Sequence, residues 1–228
     1  SLEDGLVTFD LDKKNISNKF EFSGELKNPH GIKIHDGYIY VSFSKSDCIS
    51  KFDFKGKEHE RFYLSNLSKS HKEAIHHCND IEIIDHELFV SMFSVTGHWK
   101  KGIFNGGVKS INLKTKEVTD VISKLKMPHN IKYFDNTLFV LNSYQGEMLG
   151  YDQEIIAKLN GFVRGFDIVD DFFIIGESKN RNISLLNRGN LTASLDTRIS
   201  IIDKNINISR SIPLPRYVSE IHSIINLK

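Results

Sequence analysis

From His30 the chain reads HGIKIHDGYIYVSFS, from Asn79 NDIEIIDHELFVSMF, from His129 HNIKYFDNTLFVLNS and from Arg164 RGFDIVDDFFIIGES. The four stretches align without gaps. A shorter copy, EIHSIINLK, begins at Glu220. Each copy opens on a polar residue and places apolar side chains at its third and fifth positions: Ile32 and Ile34, Ile81 and Ile83, Ile131 and Tyr133, Phe166 and Ile168. A turn residue follows, Asp36, Asp85, Asp135 or Asp170, with Asn226 in the last copy. Asp and Asn suit turns because their side chains bond nearby backbone and tolerate unusual φ. A second run rich in aromatic and β-branched residues, such as Tyr38–Val41 and Thr137–Val140, reads as strand.

A third strand follows at Ile49–Phe54, Gly107–Asn112 and Arg198–Asp203, and a weaker fourth at Glu60–Leu64, Val118–Ile122 and Ile206–Ile212. Four short strands recurring every ~35–55 residues are the pattern of a propeller blade. The sequence therefore predicts an all-β chain, one domain over residues 1–228, folded as a five-bladed β-propeller with repeats starting near 30, 79, 129, 164 and 220. Gly5–Asp10 and Lys19–Phe22 read as outer strands and Glu220–Leu227 as an inner strand, so both ends are expected to close the ring in one blade. Closure removes exposed sheet edges. A β-sandwich is the competing architecture, but a sandwich does not require copies this alike. Helical periodicity is scarce: Asn66–His77 and Lys179–Asn190 are read as loop insertions.

Composition narrows the function classes. With 30 basic and 29 acidic residues the net charge is +1, without the basic excess expected of a nucleic-acid binder. No apolar run approaches the roughly 18 residues that span a bilayer, and no charged-then-apolar leader is read at the amino end. The chain opens on Ser1-Leu2, which suggests that a few native residues precede it. Cys48 and Cys78 are neither a disulfide framework nor a zinc motif, and are read as free thiols of a cytoplasmic protein.

In a propeller the first residue of each inner strand lies near the channel mouth. That column reads His30, Asn79, His129, Arg164 and Glu220, polar and varied where the Ile and Asp columns are uniform. Pro29 and Pro128 precede the two histidines directly and fix φ before them. The plainer reading is that Pro-His is simply how a blade begins. As functional residues, His30 and His129 are candidates for acid–base catalysis, because histidine titrates near neutrality. Arg164 is a candidate anion clamp, its planar fork matching a carboxylate or phosphate. Glu220 with His30 and His129 forms a candidate divalent-metal set, although Arg164 in the same ring argues against a cation, and Glu220 paired with Arg164 is the plainer alternative.

Neighbouring residues extend the list. His76-His77-Cys78-Asn79-Asp80 gathers polar and reactive side chains ahead of one strand, with at least one histidine expected to face solvent and His77 and Asn79 taken as substrate contacts. The second strands end in Phe43, Met92, Asn142 and Glu177, the last two being candidate substrate contacts. In the long loop Ser94–Gly107, Trp99 is placed to stack on a sugar or cap the channel. His222 stands in an otherwise apolar column and reads as a core histidine with one hydrogen-bond partner. The fourth column, Lys33, Glu82, Lys132, Asp167 and Ser223, alternates in charge and reads as structural. No nucleotide-binding or nucleophile-elbow motif occurs, so no nucleotide cofactor is expected.

From about His30 onward the chain resembles an uncharacterised family of bacterial propeller proteins, described as a domain of unknown function. The resemblance rests on Met127-Pro128-His129 through Leu141-Asn142-Ser143 and Gly146-Glu147, on Gly161-Phe162-Val163-Arg164-Gly165 with Gly176 and Ser178-Lys179, on Val218-Ser219-Glu220, and on the Trp99 and Gly106-Gly107 loop. Tyr144-Gln145 and His222 depart from it. The resemblance implies a propeller and no particular reaction. More distantly the blades are similar to gluconolactonase-like and NHL-repeat propellers, the first of which hold a divalent cation at the channel mouth; their full carboxylate-and-asparagine ligand set is not matched.

These readings converge on an enzyme of carbohydrate metabolism acting on a small, sugar-derived, anionic substrate by histidine acid–base chemistry, of epimerase (isomerase), lyase or lactonase type, with one divalent cation as the only cofactor considered. Neither nucleic acid nor membrane is an expected partner, and oligomeric state is not readable. The alternative is a non-catalytic propeller that binds a protein or glycan.

Overall fold

The computed structural model describes residues 5–71, 74–179 and 194–227. The chain divides into two compact units, Ser1–Val121 and Ile122–Lys228. In the first unit β1 (Gly5–Asp10) and β2 (Asn15–Glu21) form a two-stranded sheet. A four-stranded sheet follows in the order β3 (Pro29–His35), β4 (Tyr38–Phe43), β5 (Cys48–Phe52), β6 (Glu58–Tyr63). The next runs β7 (Cys78–Ile84), β8 (Glu87–Met92), β9 (Gly106–Asn112), β10 (Val118–Leu125), and β10 carries the chain into the second unit. There β11 (His129–Phe134), β12 (Thr137–Asn142), β13 (Glu147–Leu149) and β14 (Ile155–Lys158) form one sheet. The last contains β15 (Phe162–Val169), β16 (Phe172–Ser178), β17 (Arg198–Asp203) and β18 (Ser209–Pro213). Four-stranded antiparallel meanders of this kind are consistent with a β-propeller.

The repeat explains the hairpins. Each first and second strand are joined by a two-residue turn, with His35 paired to Tyr38, Ile84 to Glu87, Phe134 to Thr137 and Val169 to Phe172. The turn aspartates Asp36, Asp85, Asp135 and Asp170 all take φ of 47–52°. Tight hairpins need that left-handed conformation, and Asp tolerates it. Gly37 and Asn136 add a second positive φ in two of the turns.

The second strands are mostly apolar, on both faces, because both faces are buried. On β4, Ile39, Val41 and Phe43 join one cluster with Phe22, Leu26 and Phe52, while Tyr40 points into another with Ile49, Phe62, Ile81, Val90 and Met92. Alternate side chains of a strand face opposite ways, so one strand serves two layers. The second unit has its own core of Phe139, Leu141, Met148, Val163, Phe166, Phe173, Ile175 and Ile202.

Three expectations are corrected. Asn66–His71 is a short α-helix, α1, rather than part of an irregular insertion. The other insertion, Lys179–Asn190, lies outside the described residues beyond Lys179. Among the described residues Glu220–Leu227 makes no strand ladder; it is fixed beside β15 and β16 by Ile221 N–H to Ser178 Oγ (2.9 Å) and Asn226 N–H to Asp167 Oδ2 (2.6 Å). His222 is therefore not a core histidine. Its side chain is 61% exposed and its Nε2 lies 3.2 Å from Glu220 Oε2, since residues i and i+2 of an extended chain share a side. The structural reading of the fourth column holds inside each unit: Lys33 pairs with Glu82, and Lys132 Nζ lies 2.7 Å from Asp167 Oδ1.

Candidate functional site

All four inner strands start with an irregularity. Register shifts between Pro29 and Ile32, Cys78 and Ile81, His129 and Ile131, and Val163 and Phe166. His30, Asn79 and Arg164 lie within these bulges, and His129 at the edge of its own. A bulge leaves a residue outside the ladder and re-aims its side chain. The repeat thus builds one side-chain-presenting kink per blade. In the first unit the kinks are stitched together. Gly31 N–H donates to Ser42 Oγ (2.8 Å), Ser42 Oγ donates to the carbonyl of Asn79, and Asp80 N–H donates to Ser91 Oγ (3.1 Å). A Cβ at Gly31 would stand 2.7 Å from Asp80 Cα, so glycine is required for the two strands to approach.

Beside these kinks lies a group of half-buried rings. His77 stacks on Phe93 at 4.5 Å and 28°, meets Trp99 at 4.4 Å, and faces His30 at 6.1 Å in an edge-on arrangement. His30 Nε2 is 3.3 Å from Asn28 Nδ2. Trp99 is held from behind, its indole N–H donating to Ala74 O at 2.6 Å and its backbone N–H to Ile75 O at 3.2 Å. His77 has φ of 56°, an uncommon conformation for a side chain of this bulk.

The buried carboxylate of Asp47 explains why the segment holds that shape. Asp47 Oδ2 accepts the backbone N–H groups of Ile75 (3.0 Å) and His76 (2.8 Å), and Oδ1 accepts that of Cys78 (3.2 Å). Burial pushes this carboxyl up, against the pull of its backbone donors and of His76. Across the loop, Ser94 Oγ donates to Asn105 Oδ1 (2.6 Å) and accepts His98 N–H (3.0 Å). Cys48 and Cys78 are free and buried, and burial pushes the Cys48 thiol up to about 12.

Second-unit candidates are placed differently. His129 is buried, with Nδ1 3.0 Å from Met127 O and 2.9 Å from Ser143 Oγ, and its ring is edge-on to Phe162. A carbonyl only accepts, so Nδ1 carries the proton. Arg164 is buried as well. Asn142 has its polar atoms engaged locally: Oδ1 accepts Lys126 N–H (2.7 Å), and Nδ2 donates to Gln145 Oε1 (2.6 Å) and Glu147 Oε2 (2.7 Å). Glu177 is likewise committed, to Arg198 Nε (2.8 Å), Ser200 Oγ (2.5 Å) and Gly161 N–H (2.8 Å). Burial raises its carboxyl, but these donors outweigh burial and hold it below the ordinary carboxylate range. Glu220 keeps His222 as a neighbour. Within either unit, among the described residues, no three His, Cys, Asp or Glu side chains stand together as a metal cage, so neither unit alone supplies a fit for a cation at Glu220.

The structure thus brings His30, His77, Asn79 and Trp99 into one neighbourhood of the first unit. Phe93 and Asp47 were missed in the sequence. Phe93 did leave a signal: it is the aromatic exception in a column that otherwise reads Ser44, Ser143 and Ser178. His76 is buried and His77 half-buried, so of the two only His77 keeps part of its surface in solvent. Among the described residues no helix is long and apolar enough to cross a membrane.

Solved structures resemble the whole described architecture at low sequence identity. A protein of unknown function from Bacteroides caccae superposes with a TM-score of 0.60 at 12% identity, over 92% of this chain and 69% of its own. A streptogramin B lyase gives 0.60 at 14%, over 97% and 65%. A calcium-binding protein, regucalcin, from Agrobacterium tumefaciens gives 0.60 at 11%, over 91% and 66%. The chain thus spans about two thirds of the length of these structures, and the likeness establishes fold alone. No curated protein matches the sequence. A sequence family does match: residues 4–228 match DUF4915, a domain of unknown function, and the chain belongs to that family.

Proposed function

We propose that the chain is an enzymatic propeller acting on a small, polar, sugar-derived anionic substrate by histidine acid–base chemistry, of epimerase, lyase or lactonase type. One observation carries the reading: two imidazoles, His30 and His77, adjoin a half-buried Phe93 and Trp99 surface at the bulged ends of β3 and β7. The apolar face of a sugar stacks on such rings, and paired imidazoles suit proton removal and return at one carbon. His129, Arg164 and Glu220 hold the matching repeat positions, and their roles as second acid–base group, anion clamp and metal ligand are assigned by repeat position only. With the proposal goes the closed ring of about five blades. One structural neighbour is described as a lyase, so the scaffold is compatible with catalysis, but the choice rests on side chains. A second reading, a binding propeller, is favoured by the exposed Val7, Phe9, Leu11 and Ile16 on β1 and β2 and their connection.

Trp99 is the sole tryptophan, so its fluorescence reports this surface alone. Glucuronate, gluconate and glucono-δ-lactone are expected to shift its emission saturably, with turnover detected for at least one. His30→Ala and His77→Ala should each lower kcat by ~10²–10⁴-fold. A panel that neither moves the emission nor turns over would end the enzymatic reading, and protein capture through β1 and β2 would then support the second.

A further inference from the structure

A second constellation lies in the first unit, apart from the rings just described. Ser65 lines an open cleft of about 450 Å³ together with Phe62, Ile111, Val118, Arg61 and Lys69. Its Oγ is 2.8 Å from His76 Nε2. On the far side of that imidazole, Nδ1 lies 2.8 Å from the carbonyl of Ser94. A carbonyl cannot donate, so Nδ1 bears hydrogen and Nε2 of the neutral ring accepts the Ser65 proton. Asp47 positions the backbone of the same residue, taking the N–H groups of Ile75 and His76. Burial holds His76 below the ordinary histidine range, which keeps the ring neutral at pH 7. Hydroxyl, neutral imidazole and a fixed acceptor behind it form the arrangement that activates a serine nucleophile.

We infer that Ser65 and His76 form a nucleophile–base pair able to cleave small carboxylic esters in this cleft. The substrate's short acyl chain would lie against Phe62, Ile111 and Val118. Ser65 Oγ bonds to the acyl carbon as its proton passes to His76 Nε2. The bond to the leaving alkoxide breaks, and the alkoxide takes that proton from His76. Water then attacks the acyl-serine, giving up a proton to His76, and releases the carboxylic acid as Ser65 is re-protonated. No oxidant or metal enters the balance. Ser65 also caps α1, accepting Ser68 N–H at 3.1 Å while Ser68 Oγ accepts Ser65 N–H at 3.2 Å. Capping uses a lone pair of the hydroxyl oxygen and not its proton, so it does not account for a buried histidine placed to take the proton.

The test is to treat the whole chain with a fluorophosphonate and map the adduct by mass spectrometry. Ser65 should react at least ~10-fold faster than any other serine, and His76→Gln should slow it by ~10²-fold or more. Ser65→Thr, which keeps the cap, should fold and lose most of the labelling. If His76→Gln does not fold, the wild-type labelling rate should fall as pH drops below the His76 value. Labelling spread over exposed serines, no adduct on Ser65, or a rate indifferent to both His76 and pH would overturn the pair. None of these outcomes bears on the Trp99 titration, so the two proposals fail separately.

Discussion

The fourteenth residue of each repeat copy, at or next to the end of its second strand, is apolar in the first unit and polar in the second. Phe43 and Met92 are wholly buried in apolar clusters, while Asn142 and Glu177, equally buried, are wrapped in hydrogen bonds. The four positions are equivalent in the repeat. In the first unit the buried polar group that ties loop backbone lies elsewhere, at Asp47, which holds Ile75, His76 and Cys78, while the half-buried His77 and Trp99 sit on loops. In the second unit the strand-end position itself does the tying: Asn142 holds Lys126, and Glu177 holds Gly161. A polar exception in a repeat column is thus not by itself a ligand contact; what matters is how many of its polar atoms local partners already take.

The largest expected effect breaks that comparison at Glu177. Glu177→Ala removes the buried carboxylate to which the partly exposed Arg198, Ser200 Oγ and Gly161 N–H all donate, which costs about 2–4 kcal/mol. Met92→Leu, at the equivalent carbon position, should cost under ~1.5 kcal/mol, as volume-conserving apolar exchanges do. Urea denaturation of the two variants decides. Comparable losses would mean that Glu177 is packing matter like Met92, and would reopen it as a substrate contact.

Acid sharpens the same point. A carboxyl held below its unfolded value binds fewer protons in the folded state, so it favours folding above the unfolded Glu value of ~4.3. That advantage is lost as pH falls through the folded value. The wild type should therefore lose stability more steeply below pH ~4.3 than Glu177→Gln, which has no charge there to neutralise. Parallel pH profiles of thermal unfolding would show that the donors around Glu177 do not bias its titration.

The fold was legible because the repeat writes its turns in one letter. Asp36, Asp85, Asp135 and Asp170 mark the hairpins, and all four adopt the left-handed φ that the turn requires. The last copy was misread as a strand because Ile224 and the turn residue Asn226 follow the other copies although His222 does not, whereas a strand is defined by ladder partners that lie elsewhere in the chain. The site was legible only in part. His30, Asn79, His77 and Trp99 could be named from column and loop, but nothing near Asp47 says that its carboxylate will collect three backbone N–H groups ~30 residues away. His76 and His77 are adjacent and chemically identical in sequence. One turns to Ser65 and the other to Phe93, a difference set by backbone conformation and not by composition.

Where the two units agree, the expected effect is smallest and most discriminating. Lys33 with Glu82 and Lys132 with Asp167 are the same contact made twice, between neighbouring inner strands. Both lysines are partly exposed, so each pair contributes at most ~1 kcal/mol through charge. The acids they leave behind differ. Glu82 keeps one backbone donor, the N–H of Ile83 at 2.9 Å. Asp167 keeps two, Ile168 N–H at 2.9 Å and Asn226 N–H at 2.6 Å. An unpaired buried carboxylate is costly in proportion to the donors it lacks. Lys33→Met should therefore destabilise by about 1–2 kcal/mol and Lys132→Met by under ~1 kcal/mol. The reverse order in urea denaturation would show that the segment around Asn226 contributes nothing at Asp167, and that the likeness of the two contacts stops at their geometry.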